Sequence, residues 1–148
     1  MSHLHIPDGI LPPMLWLWGL ILTGLLLLVS ARAARHAGAR QIAFQSALGG
    51  IMLAVMAIPV PITAFDYCMT LAGPVGVLLG ASAAFQVSFV VTLILALLGQ
   101  GGFTVVGLNT LTLGLGAILA RPIYLRVVRP LGPARAMALA TAASQLFS

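Results

Sequence analysis

From Met14 to Ser30 the chain reads MLWLWGLILTGLLLLVS, apolar on every side with only glycine, threonine and serine between the large residues. A stretch without a polar face has neither the two-residue alternation of a half-buried strand nor the stripe of a surface helix, and it predicts a helix surrounded by lipid. The pattern breaks at an arginine-bearing segment and resumes at Ile42, after which no Lys or Arg occurs until Arg121. Pro59 and Pro61 close one span in that block, and Gly73–Phe85, Val87–Gly99 and Phe103–Ala120 supply three more. Several of these are shorter than the roughly 20 residues of a straight spanning helix, which predicts broken or tilted helices. The expected architecture is one all-α transmembrane domain of about six helices. It is divided into an outer loop over 1–13, five spans over 14–120, a cytoplasmic loop over 121–135 and the start of a last span over 136–148.

Composition excludes the alternatives. With 61% hydrophobic and 6% charged residues, the chain is far from a soluble domain, where charge runs near a quarter. Continuous runs rather than alternating ones exclude a barrel. The formal charge of +5 comes from seven arginines in two groups, Arg32, Arg35 and Arg40, then Arg121, Arg126, Arg129 and Arg135. Such clusters mark cytoplasmic loops of a multi-pass protein of the plasma (inner) membrane. Nucleic acid is excluded as a partner, because there is no soluble basic domain to bind it. The first helix is no signal peptide, since it lacks a basic start and ends in arginines rather than a cleavage site. Trp16 and Trp18 mark its outer interface, so the N-terminus is expected outside.

That sidedness gathers the chemistry. The only acidic residues, Asp8 and Asp66, the only cysteine, Cys68, and two of three histidines, His3 and His5, fall in segments expected on the outer face. His36 stands apart among the cytoplasmic arginines, as a solvated or headgroup-contacting residue. Imidazole, carboxylate and thiolate together suit a borderline transition metal, and ionisable groups are scarce in a membrane chain unless functional. Each residue also has a plain alternative: a polar tail for His3 and His5, a helix cap for Asp66, packing for Cys68. One cysteine allows no internal disulfide. GQGG at Gly99–Gly102 lacks the lysine of a phosphate loop, and no nucleophile is paired with a base, so no enzymatic activity and no organic cofactor are expected. The small residues Gly73, Gly76 and Gly80, then Gly107, Gly114 and Gly116, predict close helix packing.

HIPDGIL at His5–Leu11, the PVP at Pro59–Pro61, LAGPVGVLLG at Leu71–Gly80 and GQGGFTVVGLNTLTLG at Gly99–Gly114 occur in this order. Together they resemble the CbiM/NikM family, the substrate-specific membrane subunits of energy-coupling factor importers for cobalt and nickel. The resemblance implies that the N-terminal loop inserts into the bundle from outside and holds one ion through the terminal amine, a histidine near it and a ligand from the loop after the second span. Carried over, it makes His5 the motif histidine, Asp8 the carboxylate that holds the loop, and Asn109 a donor that orients a ligand; Asp66, on the same expected face, is a further supporting carboxylate. Two positions depart from the pattern. MSHL precedes His5, so Met1, or Ser2 if Met1 is removed, presents the amine next to His3; and Cys68 stands where a loop histidine is expected.

The reading is therefore a membrane component that captures Ni(2+) or Co(2+) as transported substrate, with ligands drawn from His5, His3, Cys68 and Met1. By the resemblance, its partners are a transmembrane coupling subunit and ATP-binding subunits, with a small accessory membrane subunit as a further candidate. The rival is a membrane metal sensor or scaffold that transports nothing. Relatives in the family are usually longer, so a final helix either missing or cut short is among the expectations.

Overall fold

The computed structural model describes residues 9, 11–35, 37–58, 60–62, 65–67 and 70–146. Its six helices are α1 (Pro13–Ala33), α2 (Ala39–Ala57), α3 (Ala72–Leu79), α4 (Ala81–Leu97), α5 (Val106–Leu131) and α6 (Pro133–Gln145). Between α2 and α3 lies a short antiparallel hairpin, β1 (Val60–Ile62) with β2 (Phe65–Tyr67), in which Val60 stands opposite Tyr67. The all-α bundle is as expected. α1 and the Val106–Val127 part of α5 are each long and apolar enough to cross a membrane, and α1 buries only 17% of its apolar window. Trp18, Leu25 and Val29 on α1 are among the large apolar side chains left exposed, a surface that suits lipid.

α5 is the hub, packed against α1, α3, α4 and α6, while α2 lies against α4 and α3. The side chains that fill the centre include Met52 and Met56 of α2, Val75 of α3, Val91 and Leu95 of α4 and Leu113 of α5. Lipid gives helices no hydrophobic reason to associate, so close backbone approach at small residues has to supply the contact. A Cβ on Gly76 would strike the carbonyl oxygen of Ala117, and one on Gly107 would come within 2.7 Å of the Gly19 carbonyl carbon and the Leu20 nitrogen. The small residues of α3 and α5 are therefore the places where α3 meets α5 and α1 meets α5.

Side-chain bonds reveal how the ends line up. Gln45 of α2 donates to Ala83 O (3.4 Å) and Gln86 Oε1 (3.1 Å) of α4, so these two helices start together. Gly80, at the start of α4, is overlain by the Arg121 guanidinium of α5. The α1–α2 turn with Arg32, Arg35 and Arg40 and the Arg121 end of α5 thus share one end of the bundle. At the other end Gln100 donates to Ala57 O (3.1 Å), bringing the finish of α4 to the finish of α2.

Three boundaries differ from expectation. The break expected at Gln86 falls instead at Gly80, whose φ of 81° is open to glycine and strained for other residues. Gln86 stays helical because its amide is bonded to Gln45. The stretch over 121–135 is helical as far as Leu131, with Pro122 and Pro130 inside the helix. Each proline forfeits one backbone bond without ending it. The turn comes at Gly132, φ 81°, with Pro133 in the first position of α6, where a missing N–H is harmless. Finally, the span expected over Gly73–Phe85 begins with only eight helical residues, α3, about 12 Å at 1.5 Å per residue.

Depth explains this short helix. Gly73 abuts Thr141 and Ser144 of α6, and Gly116 abuts Ser144, so α3 begins about ten residues below the start of α5. Thr70, just before it, lies at that depth outside any helix, which is tolerated inside a membrane only where protein satisfies the backbone. Gln145 does so, donating from Nε2 to Thr70 O (2.8 Å) and Thr70 Oγ1 (2.6 Å), and Thr70 is buried.

A second buried contact pins α4 to α5. Thr92 Oγ1 and Thr110 Oγ1 lie 2.7 Å apart, while Thr92 also reaches Ser88 O and Thr110 reaches Val106 O. Removing either hydroxyl in Thr92→Val or Thr110→Val should lower stability by about 1 kcal/mol, the scale of an interhelical bond in a membrane protein. Because they share one bond, the double variant should lose less than the sum. Thermal melts of the four proteins in detergent check this, and full additivity would mean the two threonines act separately.

Candidate metal site

At the end of the bundle opposite the arginines, α1 begins after the turn at Gly9, whose φ is 89°, and Pro12 leads directly into Pro13 at the first helical position. The α4–α5 turn, with Gly99 at φ 77°, opens at the same end. Hydrogen bonds within the turn, Gly99 N to Ala96 O (3.1 Å) and Gln100 N to Leu95 O (2.9 Å), close α4, and Gln100 is then free to reach across to Ala57.

Asn109 sits in the first turn of α5, close to this end, and is 5% exposed. Its backbone N–H bonds Val105 O (3.0 Å) and its carbonyl accepts from Thr112 Oγ1 (2.9 Å). One turn away, Thr23 of α1 donates to Gly107 O at 2.8 Å, locking α1 against the start of α5 where Gly19 and Gly107 let the backbones touch. Asn109 is thus held on helix and buried. A carboxamide so placed can orient a neighbouring group by donating or accepting.

Asp66 lies in β2, paired across the hairpin with Pro61, and its backbone alone is described. The hairpin holds the segment after it on a short tether, with Thr70 fixed by Gln145 three residues past the end of β2. Met1, His3, His5, Asp8 and Cys68 lie outside the described residues. Among the described residues no three His, Cys, Asp or Glu side chains converge.

The sequence did not single out Thr23, Thr70, Ser88, Thr92 or Thr110, all buried, nor Gln100 and Gln145. A signal was available: Ser88 and Thr92 are four apart within an otherwise apolar run and so share a helix face. Their part is to tie the bundle together internally, since each bonds a backbone carbonyl or a facing side chain and none is left unbonded.

The likeness carried by HIPDGIL and the three later motifs is borne out by comparison. A family model described as CbiM, the cobalt uptake substrate-specific transmembrane region, matches residues 5–148. A solved structure described as a truncated transition metal transporter aligns with 97% of this chain and 71% of its own, with a TM-score of 0.81 and 21% identity. At that identity the likeness establishes the fold. No curated protein matches the sequence.

Proposed function

The chain belongs to the CbiM family of cobalt uptake substrate-specific transmembrane regions, and on that premise we propose that it captures one nickel or cobalt ion at the outer end of the bundle for ATP-driven uptake. His5 and Cys68 supply side-chain ligands, and Met1 with His3, or His5 alone, completes the nitrogen donors. Asp8, Asp66 and Asn109 hold these groups in place. Imidazole and amine nitrogen suit both ions, and a thiolate softens the set. The last crossing into the cytoplasm, and the energy for it, come from a transmembrane coupling subunit and ATP-binding subunits at the arginine-bearing end, in the plasma membrane.

The observation that carries this reading is the polarity of the bundle. Both arginine groups share one end through Gly80 and Arg121, and the hairpin with Asp66, the buried Asn109 and the lead into α1 belong to the other half. α3, a short helix set between Thr70 and the break at Gly80, matches the broken helices on which other membrane transporters build midplane sites.

Titration of purified protein with Ni(2+) and Co(2+) tests it. The parent should take up about one ion per chain, Cys68→Ala should bind at least tenfold more weakly, and Cys68→His should bind nickel at least as well as the parent. Equal affinity of Cys68→Ala and parent would remove the thiol from the site and leave it to Met1, Ser2, His3, His5 and Asp66. A chain that binds neither ion yet assembles stably with partner subunits would instead be a scaffold.

A further inference from the structure

A groove of about 580 Å³ runs between α2 and α4, from the α1–α2 turn at the arginine-bearing end to Leu53 and Ile94. Ala34 and Ala37 of the α1–α2 turn form its mouth, and Gly49, Gly50, Val87 and Val90 are among its walls. Its volume is within the roughly 300–1,000 Å³ of small-molecule sites. It opens sideways, where Ile42 and Val90 are 54% and 51% exposed.

Three features identify what fits. Ile42 to Leu53 on α2 mark the extent of the groove, and eleven residues of helix rise about 16 Å, half the roughly 30 Å hydrocarbon core. That is the reach of an acyl chain. The walls carry two adjacent glycines that leave room for methylenes, and no Cβ on Gly50 would meet anything within 4 Å. The mouth is cationic: Arg32, Arg35 and Arg40 are all exposed on the helix ends around Ala34 and Ala37, and the segment over 31–45 has no acidic residue. The amides of Gln45 and Gln86 meet 3.1 Å apart in the groove, about 7 Å deeper than Arg40 by helix rise. That is the level at which glycerol esters follow a phosphate.

We propose that this groove is a binding site for one anionic phospholipid of the arginine-side leaflet, with an acyl chain along Gly49, Gly50 and Val87, the ester region at Gln45–Gln86 and the phosphate on Arg35 and Arg40. A zwitterionic lipid could fill the groove but would gain little from the arginines. The site stands independently of the metal reading.

Native mass spectrometry of the full chain in detergent, titrated with phosphatidylglycerol or phosphatidylcholine of the same acyl chains, tests the proposal. Phosphatidylglycerol should bind with about thirtyfold preference, the weight of two surface arginines. Arg35→Gln with Arg40→Gln should bring the two lipids nearly level. Gly50→Leu, whose side chain enters open space and suits a helix, should weaken both lipids about tenfold while the thermal melt stays unchanged. Equal binding of the two lipids by the parent, or undiminished phosphatidylglycerol binding by Gly50→Leu, would overturn the site. Photocrosslinking from position 46 to a protein chain in native membranes, with no lipid adduct, would give the groove to a partner and overturn it equally.

Discussion

Replacing His5 by alanine should reduce the metal content of the purified protein from about one ion per chain to close to none, the largest functional effect expected of any single change. His5 is the histidine of the HIPDG motif, and the chain has only three histidines with which to build a site, one of them, His36, at the arginine-bearing turn. Losing a group that merely supports a ligand weakens metal binding by roughly 10–100-fold, so losing a ligand itself should exceed that range. Metal analysis after dialysis, paired with a competition titration, measures both stoichiometry and affinity. The same measurements on His3→Ala separate the two arrangements at the N-terminus. If His3→Ala is silent, His5 acts with Cys68 and the loop; if it matches His5→Ala, the amine and His3 join the same sphere. Metal retained in full by His5→Ala would move the site to the Met1-Ser2-His3 amine and imidazole, where the amide nitrogens between them complete a planar set.

Gly76→Ala should be the most damaging single methyl that can be added to the bundle. The new Cβ would overlap the Ala117 carbonyl oxygen, with the carbonyl carbon at 2.6 Å and Cα at 2.9 Å. These are backbone atoms of α5, and Ala117 is fully buried, so the clash cannot be relieved by a rotamer change. α3 would have to move off α5, taking with it Gly73 from α6 and Gly80 from Arg121. Overpacking of this kind reaches about 3 kcal/mol, a large share of the roughly 5–15 kcal/mol that keeps a typical protein folded. Gly24→Ala is the control, since a Cβ there meets nothing within 4 Å, and alanine is the better helix former by roughly 0.8–1 kcal/mol. Thermal melts in detergent should therefore fall sharply for the first and hold or rise slightly for the second. A Gly76→Ala protein as stable as the parent would mean that α3 is free to shift against α5.

The sequence by itself determined that this chain is a membrane bundle and which end of it carries positive charge. Those properties follow from quantities that add along the chain: apolar content over a span, and arginine counts between spans. The Met14–Ser30 run needed no neighbour to be recognised as a helix, and α1 is indeed largely exposed in the bundle. The motifs around His5, Pro59, Leu71 and Asn109 were likewise legible, because the family places them in a fixed order. That Gly73, Gly76 and Gly107 serve close packing was legible as a class, while their separate partners were not.

Only the tertiary structure decided the rest, and in each instance the reason is a contact between residues far apart in sequence. Gln86 looked like a boundary and is helix because Gln45 lies across from it, whereas Gly80 became the boundary with Arg121 above it. The stretch from Arg121 looked like a loop and is helix as far as Leu131, since the backbone bonds lost at its prolines are outweighed by the packing of α5 against its neighbours. The depth at which α3 begins depends on Gln145 holding Thr70, residues 75 positions apart. Hydropathy treats Thr92 and Thr110 as weak interruptions of two spans, and they meet because α4 and α5 pack antiparallel. Sequence patterns report how each segment relates to lipid and water, while the choice between one helix neighbour and another rests on shape and bonding that no single segment contains.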